Sequence, residues 1–310
     1  MNIYHALTLS LCHLRAGRIQ MAERMVGVIS DEYHTIPEYK LTYELVSLYK
    51  THIDTINTVH QHPHTIQQIL SSLQRINDVI DKTIDTSKVF FATNESCMIP
   101  GLGDIYEDTF KRKRTGTFVE VGAFDGRTQS NTDCLPPLGW SGLYIEPVPQ
   151  YFEQCVRWHG TSLGVRFENC AIGAYEGTTQ LVVGGVLSTA NPDVAARWLE
   201  IAWSSRYFDS SYNITVPIKR LDNVLTDHEI PIEFDVLVVD TEGYEREVFR
   251  GFDLAKWKPK LAIIELAEQA DQFTPIESMG NYCEEIRANF MAHKYQELYR
   301  DDTNTIFRAP

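Results

Sequence analysis

The chain has 310 residues, 43% of them hydrophobic and 23% charged, which is the make-up of a globular protein with one large domain and an appendage, or two ordinary domains, and argues against a mostly disordered chain. Its formal charge of −14 argues against a surface built to neutralise a phosphate backbone, so no nucleic-acid partner is expected. No apolar run reaches the ~18 residues of a membrane span, no basic and apolar signal pattern opens the chain, and Cys12, Cys97, Cys134, Cys155, Cys170 and Cys283 form no C-x-x-C pair. They read as the reduced thiols of a soluble, cytoplasmic protein.

The first stretch is expected to be all-helical, because its apolar positions recur at three- and four-residue spacing to about residue 88. Ala6, Leu7, Leu9, Leu11 and Leu14 make one helix, Gly17 breaks it, and Ile19, Ala22, Met25, Val26 and Ile29 make another. Further helices fit 36–60 and 65–84. The hairpin from Leu11 to Val26 looks like one tetratricopeptide-type unit, but no second copy follows. His60, His62 and His64 around Pro63 read as a polar connection, since no acid or cysteine lies close enough in sequence to complete a metal site. This region is expected to pack against the second domain, to pair two subunits as a homodimer, or to dock a partner protein, and the sequence does not choose between them.

From Phe90 to Gly116 the chain reads as irregular, with Pro100, Gly101 and Gly103 as breakers. The domain boundary is placed near residue 95, giving a helical region at 1–95 and a second domain at 96–310. The basic run Lys111 to Arg114 is taken as a solvated lead-in to the first strand. Strands are then expected at 117–121, 142–145, 165–170, 179–183, 214–218, 235–239, 261–265, 294–299 and 304–308. Helices are expected at 149–158, 192–203, 243–249 and 278–291. Such alternation gives a mostly parallel α/β sheet covered on both faces. The closing pair "KYQELYRDDTNTIFR" reads instead as an antiparallel hairpin.

The segment "TFVEVGAFDGRTQSNTDCLPPLGWSGLYIEP" carries the strongest chemical signal. Its first strand stops at Gly122 and its second at Glu146, 24 residues further on. In a doubly wound sheet, a glycine turn approaches the ligand and an acid ending the next strand holds ribose hydroxyls. The G-x-G-x-x-G turn that seats a pyrophosphate is missing, which weakens a nicotinamide-dependent oxidoreductase. A nucleoside cofactor without phosphates, S-adenosyl-L-methionine, is the better expectation.

The elements "FVEVGAFDGRTQSNT", "GWSGLYIEPVPQYF", "NCAIG", "IKRLDNVL", "FDVLVVDTEGYEREVFRGFDLAKWKPKLAIIEL" and "YRDDTNTIFR" together resemble the FkbM family of methyltransferases over residues 115–310. The resemblance implies a Rossmann-like class I methyltransferase fold, a seven-stranded sheet with a C-terminal antiparallel hairpin. It also implies O-methylation of a sugar, glycan or natural product, so a small-molecule or glycan acceptor. In that reading Gly122, Ala123 and Gly126 keep the cofactor loop thin, and Glu120 and Asp125 place acids near the cationic end of the cofactor. Asn131 binds the cofactor carboxylate or caps the next helix. Glu146 takes both ribose hydroxyls, while Cys170 and Ala171 border the adenine.

Asp240, Glu242 and Glu265 converge at strand ends. Asp240, which also contacts the cofactor, and Glu242 are the candidates for general base, Glu242 having the alternative of a helix N-terminal acid. Glu265 borders the substrate. No metal is required, but if a divalent cation such as Mg²⁺ takes part, these three are its ligands. The aromatic insertion at 184–213, with Trp198, Trp203, Tyr207 and Phe208, is either a lid over the acceptor or packing. The alternative function is a catalytically inactive scaffold that keeps the fold and binds a partner through its helices.

Overall fold

A computed structural model describes residues 37–58, 99–111, 113, 115–160, 162, 164–208, 210–267 and 277–310, with Ser10, Ala22, Arg75, Phe91 and Cys97 as isolated positions. The helix expected at 36–60 is present as α1 (Pro37–Thr58), burying Tyr39, Thr42, Leu45 and Val46 at the spacing of one helical face. The tetratricopeptide-like hairpin, the histidine cluster and the helix at 65–84 lie outside the described residues, apart from Ala22 and Arg75. Among the described residues no helix is long and apolar enough to cross a membrane.

Seven strands form one sheet: β1 (Thr117–Val121), β2 (Ser141–Ile145), β3 (Val165–Glu168), β7 (Val236–Val239), β8 (Leu261–Glu265), β9 (Gln296–Arg300) and β10 (Asn304–Arg308). Their order is β3-β2-β1-β7-β8-β10-β9. All neighbours run parallel except β10, which is antiparallel to both β8 and β9. This is the Rossmann-like class I methyltransferase arrangement, with the strand direction reversed only in the closing hairpin. The strands bury both faces, as near-continuous apolar runs require. Val119, Val121, Leu143, Ile145, Leu237, Val239, Ala262 and Ile264 face one layer. Phe118, Tyr144, Val236, Val238, Leu261, Ile263 and Ile306 face the other.

Two expectations are corrected. The stretch read as irregular before residue 116 contains α2 (Leu102–Phe110), which buries Leu102, Tyr106 and Phe110 four residues apart against Phe91 and Trp140. Gly101 starts it in the left-handed conformation, at φ 73°. The turn residues thus mark a helix start, not a continuing loop. The strands expected at 165–170, 179–183 and 214–218 do not all join the main sheet. β4 (Ala171–Ile172), β5 (Gly177–Val183) and β6 (Tyr212–Lys219) form a separate sheet in the order β4-β6-β5. β5 and β6 alternate exposed and buried positions, which suits a sheet with one wet face and not the interior of a parallel one. The single strand expected at 165–170 divides at Asn169 and Cys170, where the chain crosses from one sheet to the other.

Helices α3 (Pro149–His159), α4 (Pro192–Glu200), α5 (Ser205–Phe208), α6 (Leu221–Asp227), α7 (Glu245–Arg250), α8 (Leu254–Trp257) and α9 (Glu277–Ala292) complete the described chain. The small sheet packs Leu181, Val183, Val216 and Ile218 against Val148, Tyr151 and Ala171, beside the carboxyl ends of β1 and β2. That packing makes one wall of a cleft.

Candidate active site

A cleft opens at the carboxyl ends of β1, β2 and β7, where ligands of open α/β sheets bind. Its lining includes Glu120, Gly122, Ala123, Glu146, Cys170, Ala171, Asp240 and Glu242. The ends of β1, β2 and β7 and the crossing into β4 deliver these residues from positions 120 to 242 of the sequence to one place.

Glycine is required at residue 122. Its φ is 84°, and a Cβ there would lie 1.7 Å from the carbonyl oxygen of Asp240. The next turn is held in left-handed conformations without glycine, with Phe124 at φ 50° and Gln129 at φ 59°. Three carboxylates hold this loop. Glu120, only 4% exposed, accepts hydrogen bonds from Thr132 Oγ1 at 2.6 Å, Ser130 Oγ at 3.0 Å and Asn131 N at 3.3 Å. Asp125 accepts from Arg127 N, Thr128 N and Thr128 Oγ1 at 2.6–2.8 Å. Glu146 accepts from Phe124 N through Oε2 and from Val148 N through Oε1, both at 2.8 Å.

Burial pushes Glu120 up to about 7 even though its hydroxyl and amide donors pull it down. Burial likewise pushes Glu146 up to about 8 against its two backbone donors. A carboxylate offers about four lone-pair sites, so Glu146 keeps one on each oxygen for a pair of adjacent hydroxyls. Its neighbours in the lining are apolar or aromatic: Ala171, Ile172, and the Phe124 and Tyr151 rings with centroids 4.3 Å apart. The arrangement suits a nucleoside, with ribose on the acid and base against the rings.

Asp125, Gly126 and Asn131 are outside the cleft lining. Asp125 is a brace within the loop. Gly126 packs against α3, where a Cβ would come 2.6 Å from Cys155 Sγ, and its carbonyl oxygen lies 2.7 Å from Nε2 of the fully buried His159. Asn131 is buried, with its carbonyl accepting from Tyr106 OH at 2.8 Å and its Oδ1 accepting from Cys97 Sγ at 3.5 Å. In the insertion, Trp198 and Phe208 belong to the core, while Trp203 stays 49% exposed, packed edge-on to Trp198. Tyr207 lies under Gly185, a residue of the cleft lining, but is not part of that lining itself.

At the ends of β7 and β8 the acids face each other. Asp240, Glu242 and Glu265 each bring a carboxylate oxygen within 4.8 Å of the others. Asp240 and Glu265 share a hydrogen bond. Burial raises all three, and for Glu242 and Glu265 the neighbouring negative charges raise them further. Such a trio holds protons that isolated acids would release, or it supplies three oxygen ligands to a hard divalent cation. Glu242 stands at φ 53° and is followed by Gly243 at φ 85°, two successive left-handed residues that bend the chain back over the cleft.

The sequence reading missed what holds that bend. Glu245, 1% exposed, accepts from Thr241 N and Thr241 Oγ1 at 2.9 Å, from Gly243 N at 3.2 Å and from Tyr282 OH at 3.4 Å. From the insertion, Thr189 Oγ1 donates to the Glu242 carbonyl at 2.7 Å and Asn191 Nδ2 to the Gly243 carbonyl at 2.8 Å. The second glutamate of "DTEGYE" was the available signal for Glu245. Thr189 and Asn191 left none, because their partners are 52 or 53 residues away.

Comparison with known proteins adds a family. The profile of the methyltransferase FkbM domain matches residues 120–297, more than half of the chain. A solved structure, the methyltransferase FkbM from Methylobacillus flagellatus KT, is similar at 15% identity, over 76% of this chain and 54% of its own, with a TM-score of 0.37. The chain thus spans about half the length of that structure. It matches no curated protein.

Proposed function

The chain belongs to the FkbM methyltransferase family, and from that premise we propose that it transfers a methyl group from S-adenosyl-L-methionine to a hydroxyl oxygen of a sugar, glycan or natural product. The observation that carries the donor is Glu146: an acid ending β2 whose two oxygens each accept one backbone N–H and keep room for a further hydrogen bond, beside an apolar slot. A ribose diol is the partner that answers such a group. The glycine at 122, where a Cβ would strike the Asp240 carbonyl, lets the turn after β1 pass close against the end of β7, so that both strand ends border the cleft. These residues fit S-adenosylmethionine, which when bound supplies an electrophilic methyl carbon.

The chain's own part in the chemistry is alignment and proton handling. Alignment of the reacting atoms supplies much of the rate in such displacements. A hydroxyl acceptor must also lose its proton, and Asp240 and Glu242 line the cleft where a carboxylate oxygen can take it. Burial raises the proton affinity of both, and for Glu242 the neighbouring acids raise it further, which makes each a stronger base than a solvated carboxylate. Asp240 and Glu265, sharing a hydrogen bond, can hold the proton between them. This transfer runs through carboxyl groups alone, and Asp240, Glu242 and Glu265 are the residues that a Mg²⁺ ion would use for charge stabilisation. Residues 96–310 form the catalytic domain in this reading, and the helical region at 1–95 serves a partner or a second copy.

Calorimetric titration with S-adenosylhomocysteine, alongside NAD, tests the donor. Micromolar binding of the first and none of the second is expected. Failure to bind S-adenosylhomocysteine contradicts the enzyme reading and leaves the inactive scaffold.

A further inference from the structure

The outer face of the small sheet has features that the methyl-transfer reading leaves unused. A groove of about 930 Å³ runs along β5, with Tyr175, Thr178, Gln180, Thr189 and Asn213 in its lining. Among the described residues no charged side chain lines it, although 23% of the chain is charged. β5 is an edge strand, and natural edges are ordinarily guarded by charge, proline or a covering segment.

Here the guard is partial. Val182 pairs with Thr189 through both its backbone groups, at 2.9 and 3.1 Å. Residues two apart on a strand turn their backbone groups the same way, so Gln180 and Thr178 turn theirs to the same edge, away from β6. Tyr175 closes one end, with its hydroxyl 3.5 Å from the Thr178 carbonyl and its side chain 46% exposed. Asn213, paired with Val182, lines the other end.

Groove and cleft share a wall. Ala190 lines both, and Thr189 of the groove donates to the Glu242 carbonyl. A ligand whose reacting end is beside Glu242 can therefore continue over Ala190 onto the edge of β5.

We propose that this groove is a second acceptor subsite, and that it takes the neighbouring sugars of a neutral oligosaccharide whose reacting unit lies in the cleft. The class follows from the chemistry of the lining. With no charged side chain there is nothing to hold a phosphate or a carboxylate. Hydroxyl, amide and backbone groups match sugar hydroxyls as donors and acceptors, and the Tyr175 ring offers a flat apolar face with a polar tip. Among the described residues Thr178 and Gln180 stand between the closing groups, and the Thr178 carbonyl already accepts from Tyr175 OH, which leaves too short a ladder for a peptide strand to add. The proposal rests on the cleft being the methyl-transfer site.

The test is saturation-transfer NMR on the full chain, with and without S-adenosylhomocysteine. The probes are linear neutral tetrasaccharides of glucose, mannose, galactose and N-acetylglucosamine, their monosaccharides, and a threonine–valine hexapeptide. A tetrasaccharide is expected to bind more tightly than its monosaccharide. Tyr175→Ala and Thr178→Glu, both at exposed positions, should weaken it by at least about fivefold, the size of one or two lost contacts, while S-adenosylhomocysteine affinity stays the same. Binding by none of the tetrasaccharides, binding untouched in both variants, or binding of the hexapeptide in their place overturns the subsite. A protein that binds saccharide but not S-adenosylhomocysteine keeps the groove and refutes the cleft reading, so the two failures are distinguishable.

Discussion

Two groups of acids share one sheet edge and differ in how the protein treats them. At the ends of β1 and β2, Glu120 and Glu146 are answered by donors from the chain itself: two hydroxyls and an amide for the first, two backbone N–H groups for the second. At the ends of β7 and β8, Asp240, Glu242 and Glu265 meet mainly one another. Among the described residues no backbone N–H or cationic side chain donates to the three. A buried acid with donors builds structure and can bind with what remains. Acids crowded without donors cost stability, and the fold keeps them only where that strain has a use.

The contrast is sharpest in the variants that would break it. Glu242→Gln and Asp240→Asn should lower turnover by roughly 10²- to 10⁴-fold, the range of a lost general base. They should leave thermal stability equal or higher, because each removes a like charge from the trio. A large loss of stability in either would mean that these acids are structural. Glu245→Ala should do the reverse, costing about 2–4 kcal/mol in denaturant unfolding by orphaning the Thr241 and Gly243 amides. Glu245→Gln, which keeps an acceptor oxygen, should cost less than half of that.

The smallest effect is in pH dependence. Glu120 and Glu245 are raised to about 7 and Glu146 to about 8, from an ordinary 4.5. The folded state therefore binds protons that the unfolded chain has released, and the stability it gains is greatest at low pH and is lost as pH rises through 7 to 8. The unliganded protein should melt roughly 5 °C lower at pH 8.5 than at pH 5.5. Glu146→Gln should flatten that slope, and a melting temperature that rises across the same interval would contradict it.

How much of this was legible in the sequence depends on how local each signal is. The strands from Thr117 to Val121 and from Leu261 to Glu265 were read with their observed ends, since buried parallel strands are continuous apolar runs bounded by polar residues. Gly122, Glu146 and Asp240 followed, because a strand end fixes what stands at the sheet's edge. The separate sheet of β4, β5 and β6 was not legible, as alternation shows that a strand has a wet face but not which sheet it joins. α2 was hidden by the breakers at Pro100, Gly101 and Gly103. The support of Glu242 by Thr189 and Asn191 was also hidden, being a tertiary contact across an insertion. Asp125 and Gly126 stand in the motif as the resemblance implied, yet they brace the loop from behind instead of lining the cleft.

The central claim is that the donor-satisfied acids bind the cofactor and the crowded acids act on the acceptor. The most direct measurement is calorimetric titration of S-adenosylhomocysteine into the unaltered protein, Glu146→Ala and Glu242→Gln. The account predicts micromolar affinity for the unaltered chain, a loss of at least about 100-fold in Glu146→Ala for two lost hydrogen bonds, and near-unaltered affinity in Glu242→Gln. Full affinity in Glu146→Ala together with a loss in Glu242→Gln would contradict it.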